Sequence, residues 1–467
     1  MLFSSIPFLY YFLPLLLVIY FLVPKKGKNP VLLIASLFFY FYGEPVYVLL
    51  MIGACLSAYI HGLLIHRFRG SIWSKVFLWS SVITSLSLLG FFKYSDFFLE
   101  NLNALTGLEL RLLGLALPIG ISFYTFQTLS YTVDVYRGDA AVQRNFISLA
   151  TYVALFPQLI AGPIVRYTTV EEDLTQRTHS VENFSDGISR FLIGLGKKVL
   201  IANQLGELCD IFRRSSDQSV LFFWLYAIGF SLHIYFDFSG YSDMAIGLGK
   251  VFGFRFLENF NYPFISKSIS EFWRRWHISL GSWFRDYVYI PLGGNRVSKG
   301  KWLRNILIVW LLTGFWHGAA WNFIVWGLYF GFFLVLEKFF LGAWLKRLPD
   351  FLSHLYVLFL VLISFVIFNA SSMGQAFTDI GGLFGAGGHP LVSQEALYQL
   401  RSFAWILLFA VVGATPVPKR IIQGIKANPT GRKLLNVLEP FFLAALLLAV
   451  TAYLVDGSFN PFLYFRF

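Results

Sequence analysis

Long apolar runs separated by short polar turns dominate the chain from its first residues. A hydrocarbon core of about 30 Å needs roughly 20 apolar residues per helix, fewer where a segment is tilted or re-entrant. On that measure membrane segments are predicted over 6–23, 30–43, 46–65, 72–92, 112–133, 145–165, 186–212, 219–247, 303–318, 319–340, 351–369, 402–415 and 436–455. The pattern gives about eleven to thirteen segments of an all-α, polytopic membrane protein. The longest polar stretches, near 166–185 and 370–400, are short and rich in Gly or Ser, which leaves no soluble domain over. No repeat of fixed period is visible, so a solenoid is not expected.

Two stretches break the serpentine. The first, 266–304, carries Lys267, Arg274, Arg275, Arg285, Arg296, Lys299, Lys301 and Arg304 against only Glu271 and Asp286. Such a segment cannot face lipid, and its Trp273, Trp276, Trp283 and Phe284 alternate with the charges at helical spacing. It reads as re-entrant or interfacial helices lining a protein-walled cavity, or as a cytoplasmic amphipathic loop lying on the membrane. The second stretch runs from Asn305 to Leu336 without a charge. At about 1.5 Å per residue that exceeds one bilayer crossing, so it must turn inside. Thr313-Gly314-Phe315-Trp316-His317-Gly318 is the natural break, because interrupted helices are tolerated where they line a cavity. His317 follows Arg304 by 13 residues, roughly 20 Å of helix, which places the histidine deep.

Composition agrees with the pattern: 57% of residues are hydrophobic, 19% aromatic and 13% charged, where a soluble chain carries about a quarter charged. The net charge of +12 does not point to nucleic acid, since the basic residues sit between apolar runs and not on one soluble face. Anionic lipid headgroups or an anionic substrate are the partners it suggests. Lys25, Lys26 and Lys28 in the first loop, and Arg67, Arg69 and Lys75 in the third, make those loops cytoplasmic and the N-terminus extracytoplasmic. The run Phe8 to Val23 lacks a positive region before it and a small-residue cleavage site after it, and reads as a retained helix. Cys55 and Cys209 form no C-x-x-C and leave the redox compartment open.

An ionisable residue at membrane depth is costly and usually faces the interior, where it serves transport, proton relay or catalysis. His317 fits that description best of the eight histidines, although a core histidine bonded to a carbonyl freed by the break would look the same. His277, in Trp273-Arg274-Arg275-Trp276-His277, is the second candidate. Flanking guanidinium groups should keep it neutral, and it could equally only pin a re-entrant helix. A positioned imidazole is the reasonable base for making a hydroxyl nucleophilic. No metal is expected, because neither H-E-x-x-H nor a cysteine set occurs. A Walker loop, a G-x-G-x-x-G after a strand and a G-x-S-x-G elbow are also missing.

Two carboxylates, Asp237 and Asp243, lie inside the apolar run 219–247 and demand partners there. They pair with Arg274, Arg275 or Arg285, or they carry protons. Gln158 and Arg166, in the Pro/Gly break Pro157 to Arg166, suggest a cavity wall. Trp316, Asn322 and Asp286 complete the residues expected to line a channel or bind substrate. The basic side chains from Lys267 to Arg304 could hold a phosphorylated donor such as coenzyme A, or anionic lipid.

The stretches YFDFSGYSDMAIGLGKVFGFRFLENFNYPFISKSISEFWRRWHISLGSWFRDYVYIPLGGNR and LLTGFWHGAAWNFIVWG resemble the membrane-bound O-acyltransferase superfamily, in its bacterial alginate O-acetyltransferase-like branch. MLFSSIPFLYYFLPL, LPIGISFYTFQTLSYTVDVYRG and PQLIAGPIVRY extend the likeness over close to the first 340 residues. The resemblance implies a helical ring around a central channel, where a cytoplasmic acyl donor meets an acceptor from outside. It implies N-terminal helices over 1–135, a catalytic core over 136–340 and C-terminal helices over 341–467 in one membrane-embedded domain. The family's embedded histidine falls on His317 and its second histidine on His277. Acetyl-CoA is the implied donor substrate, with no bound cofactor, in a bacterial cytoplasmic membrane. An alginate-like exopolysaccharide or peptidoglycan is the implied acceptor, reached with a separate extracytoplasmic transferase. A D-alanyl or other acyl donor is the alternative within the class. A transporter or flippase is the alternative outside it, although the inverted repeats usual there are not visible. Asn369 stands where many relatives have Arg, and the C-terminal third is weakly matched, so acceptor and docking surface are not carried over.

Overall fold

The computed structural model describes residues 1–160, 162–456 and 462–463, and within them the chain is helical with no strand. Six helices are long and apolar enough to cross a membrane: Val48–Arg67, Ile72–Thr106, Val220–Val251, Trp321–Leu345, Asp350–Asn369 and Pro429–Val455. Gln394–Ser402 and Ala404–Gly413 make a seventh if the pair, bent by 57°, counts as one span. Pro7–Leu22 is apolar but shorter.

The remaining predicted segments are helices too short or too charged for that test. The segment expected over 112–133 starts only at Ile121, because Pro118 and the left-handed Gly120 (φ 76°) stop regular winding before it. The segment expected over 145–165 is helical from Phe146 to Ala154, and Pro157 lies just beyond. The helix expected over 303–318 begins earlier, at Lys299, and takes in three basic residues, Lys299, Lys301 and Arg304.

The chain falls into two compact units, Met1–Phe191 with Ser242–Leu257, and Leu192–Tyr241 with Glu258–Phe467. In the first, α1 (Pro7–Leu22) packs on α2 (Lys28–Phe41), and α3 (Val48–Arg67) and α4 (Ile72–Thr106) pack on α5 (Ile121–Arg137), which is buried along nearly its whole length. Gly62 of α3 faces Tyr131 of α5, where a Cβ would lie 2.7 Å from the phenol oxygen. Only glycine leaves room for that ring.

The second unit is built on α6 (Val220–Val251, through Tyr241), the short α7 (Ile269–Arg275) and α8 (Ile278–Phe284), and α9 (Lys299–His317), α10 (Trp321–Leu336) and α11 (Asp350–Asn369). α9 and α10 form a hairpin whose backbones nearly touch. A Cβ on Gly327 would come within 2.3 Å of the Trp310 carbonyl oxygen, and one on Gly314 within 2.3 Å of the Phe323 carbonyl oxygen. Small residues at such a seam are how membrane helices approach closely when lipid offers no hydrophobic drive between them. The hairpin tip is the predicted break, Gly318 being extended after His317 ends α9.

A candidate two-histidine site

His317 is the last residue of α9, and 4% of its surface is exposed. Its position follows from the tip: a Cβ on Gly318 would collide with the Phe323 ring at 2.3 Å, so the chain can turn there only with glycine. Three aromatic rings wall the imidazole edge to face: Trp326 at 4.9 Å between centroids, Trp316 at 5.0 Å and Phe368 at 5.4 Å. Phe368 is held in turn by Asn322, whose amide donates to the carbonyl oxygens of Phe368 (3.2 Å) and Ala370 (2.9 Å). Asn322 therefore sets the wall of the site from behind.

His277 stands between α7 and α8 in the left-handed region (φ 44°), fully buried. That conformation is uncommon for a residue with a side chain and marks a position over-determined by its surroundings. The determinant is Asn259. Its Oδ1 accepts from the Ser279 backbone N–H (3.2 Å), from the Ser279 hydroxyl (2.8 Å) and from His277 Nδ1 (3.2 Å). The atom that accepts a backbone N–H must be the amide oxygen, so Nδ1 of His277 carries the proton and Nε2 keeps its lone pair. Burial pulls the His277 pKa below the ordinary imidazole value. The flanking guanidinium groups expected to do this are not the cause, for Arg275 bonds to Glu271 (2.9 Å) and the Asn261 carbonyl oxygen (3.1 Å), and Arg274 to the Ser270 carbonyl oxygen.

Trp316 links the two histidines, its ring 5.9 Å from His277 and adjacent in sequence to His317. Phe238 lies on the other side of His277 at 4.6 Å, perpendicular to it. A cavity of about 480 Å³ opens beside this group, lined by Trp273, Arg274, Ile278, Arg285, Trp310 and Thr313 among others. Thr313 is one turn before His317, and Ile278 follows His277. The polar stretch 266–304 thus supplies cavity-lining helices. Glu337, not anticipated from sequence, anchors them by accepting from the backbone N–H groups of Ile269 and Ser270 at the start of α7.

The protein-family model for MBOAT, the membrane-bound O-acyltransferase family, matches residues 46–372, a span that contains both histidines and the whole cavity. The chain belongs to this family. It is similar over its full length to the probable alginate O-acetylase of Azotobacter vinelandii, at 38% identity and complete coverage of both chains. The corresponding protein of Pseudomonas aeruginosa is 43% identical over 83% of this chain and 75% of its own. A peptidoglycan O-acetyltransferase of Helicobacter pylori is 36% identical over 85% and 82%. The chain is accordingly a multi-pass membrane enzyme of the O-acyltransferase class.

Not every predicted residue of this acyltransferase joins the histidines. Arg274 and Arg285 line the cavity, and Asp286 binds Arg285 (2.6 Å) at its edge. Arg275 is engaged in fixing α7 through Glu271. The two carboxylates find partners other than those three arginines. Asp237 forms a fully buried ion pair with Lys198 and accepts the Leu463 N–H at 2.9 Å. Asp243 pairs with Arg190 at 2.8 Å and belongs, with Gln158, to the first unit. Gln158 is buried, its amide donating to the Tyr152 carbonyl oxygen. Among the described residues no group of three His, Cys, Asp or Glu could hold a metal.

Proposed function

We propose that the chain moves an acetyl group from acetyl-CoA across the membrane toward hydroxyls of an extracytoplasmic polysaccharide, alginate-like exopolysaccharide or peptidoglycan, with His317 as the base. The relatives with complete or near-complete coverage carry acetylation of those two polymers in their names. The observation that carries the residue assignment is the position of His317 at a helix tip, joined through Trp316 to His277 and standing one turn beyond a cavity-lining threonine.

In this reading the donor thioester occupies the cavity, with Arg274 and Arg285 available to its phosphates. The acceptor hydroxyl gives its proton to His317 as its oxygen attacks the thioester carbonyl carbon. The C–S bond then breaks, the proton passes to the sulfur, and an acetyl ester and a free thiol remain. His277, protonated on Nδ1, offers Nε2 as an acceptor that keeps the second imidazole from competing as an acid. The protein would lie in the bacterial cytoplasmic membrane with its N-terminus outside, and would hand the group to a separate extracytoplasmic transferase.

The test is His317→Ala in a chain that still inserts and accumulates, supplied with labelled acetyl-CoA in lipid. Loss of both thiol release and acetyl incorporation is expected; retained turnover refutes the assignment. Mass spectrometry of envelope glycans with and without the chain identifies the product, a missing D-alanyl increment pointing to the other donor.

A further inference from the structure

The hydroxyl of Tyr20, near the end of α1, donates to the Phe252 carbonyl oxygen at 2.8 Å. Its oxygen is then left to accept, and it does so from Arg177 Nη1 (3.1 Å) and from His179 Nε2 (3.0 Å). Lys28 Nζ lies over the same ring, 4.5 Å from its centroid and 5.3 Å from that of Phe21. The Arg177 guanidinium stacks on Phe254 at 4.6 Å. Three basic side chains from two segments of the chain thus converge on one phenol.

Among the described residues no carboxylate is within ion-pair distance of Lys28, Arg177 or His179. Of the nearby acids, Asp186 pairs with Lys250 at 2.7 Å, and Asp173, which attracts Arg177 from beyond ion-pair distance, accepts the Arg255 backbone N–H at 3.0 Å. Burial, then mutual repulsion, lowers the pKa values of Lys28 and His179. Beside the cluster lies a cavity of about 380 Å³, walled by Phe21, Val181, Phe184 and Val251 and rimmed by His179 and Asn183. Val181 is 88% exposed and Phe21 44%, so the apolar walls open to the outside of the protein.

The geometry points to a binding site for one anionic phospholipid, its headgroup phosphate on Lys28, Arg177 and His179 and an acyl chain in the cavity along Phe21, Phe184 and Val251. The guanidinium and ammonium groups supply the donors a phosphate diester needs. A soluble phosphate would satisfy the cations but make no use of the apolar walls, which lie at the end of an apolar helix.

The site is tested by native mass spectrometry of the full chain titrated with phosphatidylglycerol and, separately, phosphatidylcholine. Wild type should retain one phosphatidylglycerol in preference to phosphatidylcholine. Lys28→Ala should weaken it about fivefold, the effect of one basic group near a headgroup, and Lys28→Arg should not. Asn183→Trp, which fills the cleft and spares every cation, should also release the lipid. Equal retention of the two lipids overturns the site. So does displacement of phosphatidylglycerol by inorganic phosphate or coenzyme A, or unchanged binding in Asn183→Trp.

Discussion

The Trp316 indole meets the His277 imidazole at a ring separation of 5.9 Å, tilted by 65°, while the next residue along the chain is His317. One rigid aromatic side chain therefore touches both imidazoles through space, His317 at 5.0 Å and His277 at 5.9 Å. Removing its bulk should uncouple them: Trp316→Ala is expected to lower turnover sharply while Trp316→Phe retains a larger part. Steady-state rates of the two variants in lipid, normalised to inserted protein, decide this; equal rates would rule the link out.

Asn259 gathers three donors on one oxygen. Asn259→Ala strands buried donors and should cost about 1–3 kcal/mol of stability, with activity falling as His277 loses its fixed tautomer. Ser279→Ala removes one donor along with its own need for a partner and should cost less. Thermal unfolding in detergent ranks the two, and the reverse order would contradict the network.

The Lys198 and Asp237 pair is fully enclosed. Lys198→Ala should destabilise by about 3–5 kcal/mol, because it leaves a buried carboxylate without its counter-charge. Lys198→Met combined with Asp237→Leu should recover part of that loss but not all, since the Leu463 N–H would still lack its acceptor. A double-mutant cycle on melting temperature reads the coupling.

The pH response of His277 has a definite sign. Its folded-state pKa is lowered by burial, so above the unfolded value of about 6.5 both states are neutral and the residue contributes no pH dependence. Below that value the unfolded chain binds a proton that the folded chain does not, and stability falls with falling pH. His277→Asn, which tolerates the left-handed backbone, should flatten the slope of melting temperature between pH 7.5 and 5 in proportion; an unchanged slope would place the titration elsewhere.

Much of this was legible in the sequence because membranes make few patterns possible. The charge-free run from Asn305 to Leu336 is too long for one crossing, and its glycines fall at the turn the structure makes after His317. The polar, tryptophan-rich stretch after residue 266 could not face lipid and lines a cavity. Contacts between distant segments were not legible. Lys198 is one of 37 basic residues, and nothing local marks it as the partner of Asp237. Asn259 lies 18 residues before His277, and the left-handed turn that makes their bond possible has no glycine to announce it. Hydropathy outruns geometry at some helix starts, as before Ile121, where the chain stays apolar through a Pro/Gly stop.

The glycine seam between α9 and α10 bears on how the protein is made. Taken alone, α9 starts with Lys299, Lys301 and Arg304, and a stripe of its bare backbone around Gly314 is covered only by its neighbour. Such a helix gains little from entering lipid until that neighbour arrives. The two should therefore partition from the translocon as a couple, and nascent chains truncated before Trp321 should leave α9 open to added protease, whereas chains extended past Leu336 should protect it.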